Sequence, residues 1–160
     1  MTKMQNNVTT DASKILAMFD EFSSKERKQS LRNALRKAAL ILRKKTVENL
    51  KNEVKDVNSK NSWNGKSLQS GVRIVINKKN NTEAKVHILG DFRLKFFELG
   101  TKIRYAIKRK GKQLSKQANR GQIVASHFFV SAKKQSEQQV FDTIEKVLSD
   151  SIIKINNKHK

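Results

Sequence analysis

Val72-Arg73-Ile74-Val75-Ile76-Asn77-Lys78-Lys79-Asn80-Asn81-Thr82-Glu83-Ala84-Lys85-Val86-His87-Ile88-Leu89 is the stretch on which the fold class turns. Val72, Ile74 and Ile76 alternate with Arg73, Val75 and Asn77, and Ala84, Val86 and Ile88 alternate with Lys85, His87 and Leu89. A period of two puts successive side chains on opposite faces, so these are two short strands. The polar run Lys78 to Thr82 between them reads as a hairpin connection. Helical patterns on either side make the chain α+β rather than all-helical.

Upstream of the hairpin, residues 1–12 are polar, and Ile15, Met18, Phe19 and Phe22 fit one face of a short helix. Ser23 stands three residues before Glu26, the pattern of a capping box that opens the next helix. There Leu31, Leu35, Ala38 and Leu42 recur at helical spacing. A helix running on through Leu50, Val54 and Val57 would be about 50 Å long at 1.5 Å per residue. Its stripe drifts round the axis beyond Thr46, which predicts a bend or an end between Leu50 and Val57. Ala38-Ala39-Leu40-Ile41-Leu42 is apolar on every face, so one face must meet the first helix or another subunit. Asn58 to Ser70 is an Asn/Ser/Lys-rich loop holding the only tryptophan, Trp63, a stacking surface for a base or a cover for the edge of a small core.

Downstream, Asp91 is placed to cap a short helix from Phe92 to Leu99 that Gly100 would terminate, although Leu94-Lys95-Phe96 also reads as a strand. Thr101 to Gly121 carries Lys102, Arg104, Lys108, Arg109, Lys110, Lys112, Lys116 and Arg120 and no acid. Ile103, Tyr105 and Ile107 alternate with polar residues, so the segment begins as a strand, and Gly111 and Gly121 bracket a projecting basic loop or β-arm within about 101–124. A last helix is expected from about Ser131 to Ile155, with Val140, Phe141, Ile144, Leu148, Ile152 and Ile155 as its buried stripe. The organisation is then an N-terminal segment over 1–22, one α+β domain over 23–155 and a charged tail over 156–160. Within the domain, a small antiparallel sheet is expected to pack against the long N-terminal helix and the C-terminal amphipathic helix.

The 160 residues suffice for one domain with a core of its own. There is no cysteine, which excludes disulfides and zinc–thiolate sites, and no apolar run approaches the 18 residues of a membrane span. The first residues lack the apolar stretch of a secretory signal, so an intracellular product is expected. The formal net charge of +21 raises encounter rates with polyanions. The 35 basic residues divide into 26 Lys and 9 Arg, however, whereas surfaces that read sequence lean on the planar fork of Arg.

Motifs for chemistry are missing. There is no phosphate-binding glycine loop, no GxSxG and no HExxH, and none of His87, His127 and His159 has a partner at ligand spacing. Glu98 is the only acid between Asp91 and Glu137, without a second carboxylate for acid–base work. The chain is therefore expected not to be an enzyme, with no catalytic residue, metal or cofactor.

Three short elements follow one another in a recognisable order. Gly65-Lys66-Ser67-Leu68 precedes Ser70 and the hairpin, Phe97-Glu98-Leu99-Gly100-Thr101 follows it, and Phe128-Phe129-Val130-Ser131-Ala132 leads into the last helix. In this order, over roughly residues 28–155, the chain resembles the tail-completion proteins of long-tailed bacteriophages, also called tail-to-head joining or neck proteins. It departs from them in having no proline. The resemblance implies a structural virion protein at the tail neck, assembled in the host cytoplasm, that forms a ring with further copies of itself, six-fold in many tails. Its implied partners are a tail tube protein, a head-completion or connector protein, and the DNA that passes through the channel; no membrane is involved. Gly65, Leu68, Glu98, Gly100, Thr101, Phe128 and Phe129 are then structural residues of the motifs. The eight cations of the arm are candidate contacts to other subunits or to a polyanion. The competing expectation is a small basic nucleic-acid-binding protein that uses the 102–120 arm.

Overall fold

The computed structural model describes residues 23–61, 64–77, 83–109 and 112–158. The expected first helix, Trp63, the hairpin connection, Lys110 and the end of the charged tail lie outside them. The elements in chain order are helix α1 (Ser24–Glu53), a 3₁₀ turn (Leu68–Gly71), strands β1 (Arg73–Ile76) and β2 (Ala84–His87), helix α2 (Arg93–Leu99), strands β3 (Tyr105–Arg109) and β4 (Lys112–Asn119), and helix α3 (Phe128–Asn156). The protein is α+β. Its described strands form two two-stranded sheets, β1–β2 and β3–β4, so the basic segment is a β-arm and not a loop.

The chain divides into two compact units, and α1 and α3 each contribute to both. Described residues 23–43, 74–77, 83–86 and 136–158 belong to the first, and 44–61, 64–73, 87–109 and 112–135 to the second.

In the first unit, α1 starts as a capping box. The Glu26 amide donates to Ser23 Oγ at 3.4 Å, and that hydroxyl donates to Glu26 Oε2 at 2.7 Å. The buried line here is Ser30, Ala34 and Ala38, while Leu31, Leu35 and Leu42 are half-buried. Of the expected stripe, Ala38 lies on this line, whereas Leu31, Leu35 and Leu42 sit beside it. The innermost line of a closely packed helix takes small side chains, and the leucines flank it. Of the all-round apolar run, Ala38 and Ala39 are buried, whereas Leu40 stays 48% exposed. In β1 and β2 the alternation holds, with Arg73, Val75 and Lys85 exposed and Ile74, Ile76, Ala84 and Val86 half-buried. The Asn77 amide donates to the Glu83 carbonyl at 3.0 Å, tying the two strand ends together.

In the second unit, α1 buries Thr46 and Leu50 and ends at Glu53, inside the window where its stripe drifts. Asp56 follows at φ +58°, a left-handed conformation that Asp tolerates better than most residues. The 3₁₀ turn packs on α2, and the fit leaves no space for a side chain at Gly71. A Cβ there would lie 2.6 Å from Asp91 Cβ and 2.8 Å from the Asp91 amide nitrogen. The strand alternative for 94–96 fails because Gly100, at φ +72°, closes a helical turn that seats Leu94 fully buried.

Helix α3 begins at Phe128, three residues before the expected start, and its buried positions are Phe128, Ala132, Ser136, Val147, Ile152 and Ile155. Val140, Ile144 and Leu148 are half-buried, and Phe141 is 61% exposed. Placing Phe141 in the core is therefore corrected. The true stripe reaches back through Ala132 and Ser136, small residues that an apolar count passes over, and this rotates Phe141 out of it.

Candidate functional site

Two of the sequence elements meet in the second unit and close around the base of the basic arm. Gly100 ends α2 at φ +72° and ψ −178°, a region open essentially to glycine. A Cβ there would also lie 2.9 Å from both the Ile123 carbonyl oxygen and the Ala125 amide nitrogen. That close approach lets the two chain segments join. The Thr101 amide donates to the Ile123 carbonyl at 2.8 Å, and the Ile123 amide donates to Thr101 Oγ1 at 3.0 Å. The Ser126 amide and hydroxyl both donate to the Phe97 carbonyl, at 2.9 and 3.0 Å, and the His127 amide donates to the Glu98 carbonyl at 3.2 Å.

The centre of this clasp is the Glu98 side chain, buried to 5% exposure. Its Oε2 accepts the Phe129 amide at 2.8 Å and its Oε1 the Val130 amide at 3.2 Å. Helix starts carry amides with no partner inside the helix and the positive end of the helix dipole, so a carboxylate there is favoured on both counts. Glu98 thus caps α3 from 31 residues away. On the other side of the same turn, Asn49 Nδ2 donates to the Phe128 carbonyl at 3.3 Å and to Gln135 Oε1 at 3.1 Å. Phe128 itself is 1% exposed.

The third element forms part of the same unit. Gly65 turns the loop at φ +65°, and its amide donates to the Asn61 carbonyl at 3.1 Å. The turn delivers Leu68, buried, to the start of the 3₁₀ turn. Beside it Asp91 is buried and holds Arg93 through both carboxylate oxygens. Oδ1 accepts the Arg93 amide at 3.0 Å and Nε at 2.9 Å, and Oδ2 accepts a terminal nitrogen of the guanidinium at 2.6 Å. Hydrogen bonding to the guanidinium holds the Asp91 carboxyl below its ordinary 3.8, against the burial that pushes it up. An acid whose pKa is lower in the folded chain adds stability that is present above the unfolded value and is lost as pH falls through the folded one. The stability gap between the wild-type chain and Asp91→Asn is therefore widest above about pH 5 and narrows below 3.8. Urea midpoints measured across that range read the gap, and one that keeps its size in acid would remove the ion pair as its source.

From the clasp the β-arm runs out and back. The Arg120 amide donates to the Arg104 carbonyl at 2.7 Å, and the Arg104 amide donates to the Gly121 carbonyl at 3.0 Å, which sets Arg104 across from the Arg120–Gly121 step. Beyond them Tyr105 pairs with Asn119 and Ala106 with Ala118; after an irregularity, Lys108 pairs with Gln113 and Arg109 with Lys112. Lys102, Arg104, Lys112, Lys116 and Arg120 are exposed, as are Tyr105 and Ile107. Among the described residues no ion pair engages these five cations. Lys108 and Arg109 are placed by the register of β3, and Lys110 lies outside the described residues. The arm can donate charge-assisted hydrogen bonds to anionic oxygens.

One surface of the same unit went unread in the sequence. Leu89, Phe92, Phe96 and Leu99 are 41–73% exposed, and the Phe92 and Phe96 rings meet edge to face at 6.1 Å. Their spacing of three, four and three is the signal, hidden because it begins before the helix does. Of the histidines, His87 Nδ1 accepts the Leu89 amide at 3.2 Å, and His127 is an exposed residue at φ +51°. Among the described residues no three His, Asp or Glu side chains group as a metal site, and no helix is long and apolar enough to cross a membrane. Comparison with protein-family models, with curated proteins and with solved structures finds no match for the chain.

Proposed function

We propose that this chain is a structural joining protein of a long-tailed phage particle, a tail-completion protein of the virion neck that acts without catalysis. The observation that carries the reading is the clasp. Phe97–Thr101 and Phe128–Ala132, recognised as separate short motifs, are bound to one another through the Glu98 carboxylate, and Phe97 and Thr101 also hold Ser126 and Ile123 of the segment that leads into the second. In that role the chain closes into a ring with copies of itself, six-fold as the resemblance implies, between a tail tube protein and a head-completion or connector protein. A head-to-tail ring needs two different surfaces on each subunit. Two surfaces of different character are available for it, an apolar one in the second unit and a mainly charged one in the first. The apolar surface is the ridge Leu89, Phe92, Phe96 and Leu99. The charged surface is a groove lined by Arg36, Lys37, Leu40, Val147, Asp150 and Lys154. Electron microscopy of lysates from a phage lacking this gene tests the reading. The expected picture is filled heads and finished tails lying apart, and complete particles in normal number would overturn it.

A further inference from the structure

We infer that the exposed side of α1, from Lys25 to Arg36, binds double-stranded DNA by lying in its major groove. The inference stands on this helix face and does not depend on the joining role. At 3.6 residues per turn, Lys25, Lys28, Arg32 and Arg36 fall within an arc of about 80°, turned away from the buried line Ser30, Ala34 and Ala38. All four are exposed, and among the described residues none of them stands in an ion pair. Between Glu26 and Glu48 the sequence holds eight cations and no acid. That arrangement works against the helix. Lys28 and Arg32, and again Arg32 and Arg36, are like charges at i and i+4, and Lys25 sits in the first turn, where the dipole disfavours a cation. A face that only met water would gain from mixed signs at these spacings. A phosphate backbone along the face removes the repulsion and gives each cation a charge-assisted hydrogen bond.

The other side chains of the face favour DNA over a protein partner. Gln29 and Asn33 are exposed beside the cations, and Gln29 Nε2 donates to Asn33 Oδ1 at 3.3 Å, which sets the two amides side by side. No apolar residue between Lys25 and Arg36 is exposed, since Leu31, Ala34 and Leu35 are buried or half-buried. Protein–protein contacts centre on apolar and aromatic anchors and are depleted in lysine, whereas DNA-binding surfaces are polar and strongly positive. Arg, Lys, Gln and Asn are the side chains that pair with base edges in the major groove. The dimensions agree. A helix about 10–12 Å across matches a groove about 12 Å wide, and the stripe runs about 16 Å, or about five base-pair rises. The major groove of duplex RNA is too narrow and deep to be entered in this way. Arg36 marks the edge of the face, because it also lines the groove shared with α3, where Asp150 is set among Arg36, Lys37 and Lys154. The grip therefore centres upstream, on Lys25, Lys28 and Arg32.

The test uses the full chain and a fluorescent 20-base-pair DNA duplex of arbitrary sequence, titrated across a salt series. Lys28→Gln with Arg32→Gln removes two phosphate contacts, so the slope of log affinity against log salt should become shallower by about 2. Gln is as good a helix former as the residues it replaces, and circular dichroism should show the variant folded. Lys133→Gln with Lys134→Gln, exposed cations of α3, and Lys112→Gln with Lys116→Gln, exposed cations of the arm, should each leave the slope nearly unchanged. Acetylation by acetic anhydride supplies a second readout. With duplex at about ten times its Kd, modification of Lys25 and Lys28 should slow about tenfold, and that of Lys133 and Lys134 should not. Duplex RNA of the same length should compete more weakly than DNA. Equal losses of slope in all three variants would reduce the binding to overall charge, and a loss confined to Lys112→Gln with Lys116→Gln would move it to the arm. Competition by RNA as strong as by DNA would exclude the major groove. Polyglutamate that protects Lys25 and Lys28 where the duplex does not would assign the face to an acidic protein. Each of these results overturns the inference.

Discussion

Phe128→Ala is expected to lower stability by roughly 3–5 kcal/mol, the usual range for emptying a large buried aromatic site, while Phe141→Ala changes it by no more than about 0.5 kcal/mol. The two residues lie on one helix, 13 positions apart, and look equivalent in the sequence. Phe128 is 1% exposed and begins α3 at the point where Glu98 and Asn49 hold the first turn, so the space it leaves is framed by hydrogen bonds that resist collapse. Phe141 is 61% exposed and leaves water behind when removed. Urea denaturation with a common slope for both variants separates the cases. A Phe141→Ala loss of several kcal/mol would restore the stripe read from spacing alone and rotate α3 away from the face described above.

What the sequence discloses and what it hides follow from the range of the interactions. The β1–β2 alternation and the Ser23–Glu26 box are local, and both are legible to the residue. So is the end of α1, because a drifting stripe cannot keep facing one neighbour. The start of α3 is not local. Phe128 and Phe129 carry no capping residue of their own, and the carboxylate that caps them belongs to Glu98. A reading that looks only upstream for Ser, Thr, Asp or Asn therefore begins the helix late and then assigns its face wrongly. The arm shows the same limit. Its charge is plain in the sequence, but the pairing of Tyr105 with Asn119 at one end and of Arg109 with Lys112 at the other is reconciled only by an irregularity in β4. Between the Ala106–Ala118 and Lys108–Gln113 pairs, one residue of β3 faces four of β4, and no alternation pattern predicts that offset. Glu98 was visible as the lone acid of its region, and its isolation is the trace that its role leaves: an acid with no charged partner and strong burial must be satisfied by backbone amides.

Glu98→Ala is expected to cost about 3 kcal/mol. Hydrogen bonds to a charged acceptor contribute about 1.5–3 kcal/mol each, and loss of a helix cap costs about 0.5–2 kcal/mol. The two amides do not lose equally. Val130 is exposed, so water can replace the carboxylate at its amide, whereas the Phe129 amide lies in a half-buried turn and has less access. The loss therefore approaches that of one such bond at full strength rather than two, about 3 kcal/mol. Glu98→Gln keeps one carbonyl oxygen for the Phe129 amide but gives up the charge that complements the helix dipole, and about half the loss is expected. Urea unfolding measures both, and a Glu98→Ala chain within about 0.5 kcal/mol of wild type would dismiss the cap as decoration. The location of the loss is as informative as its size. The Glu98 backbone and side chain share the clasp with Thr101, Ile123 and Ser126. Faster hydrogen exchange should therefore appear at the amides of Thr101, Ile123, Ser126 and His127, with the β1–β2 pair unaffected, because the substitution opens one local unit before the whole chain unfolds. Loosening at that place frees the base of the arm while leaving its cations intact.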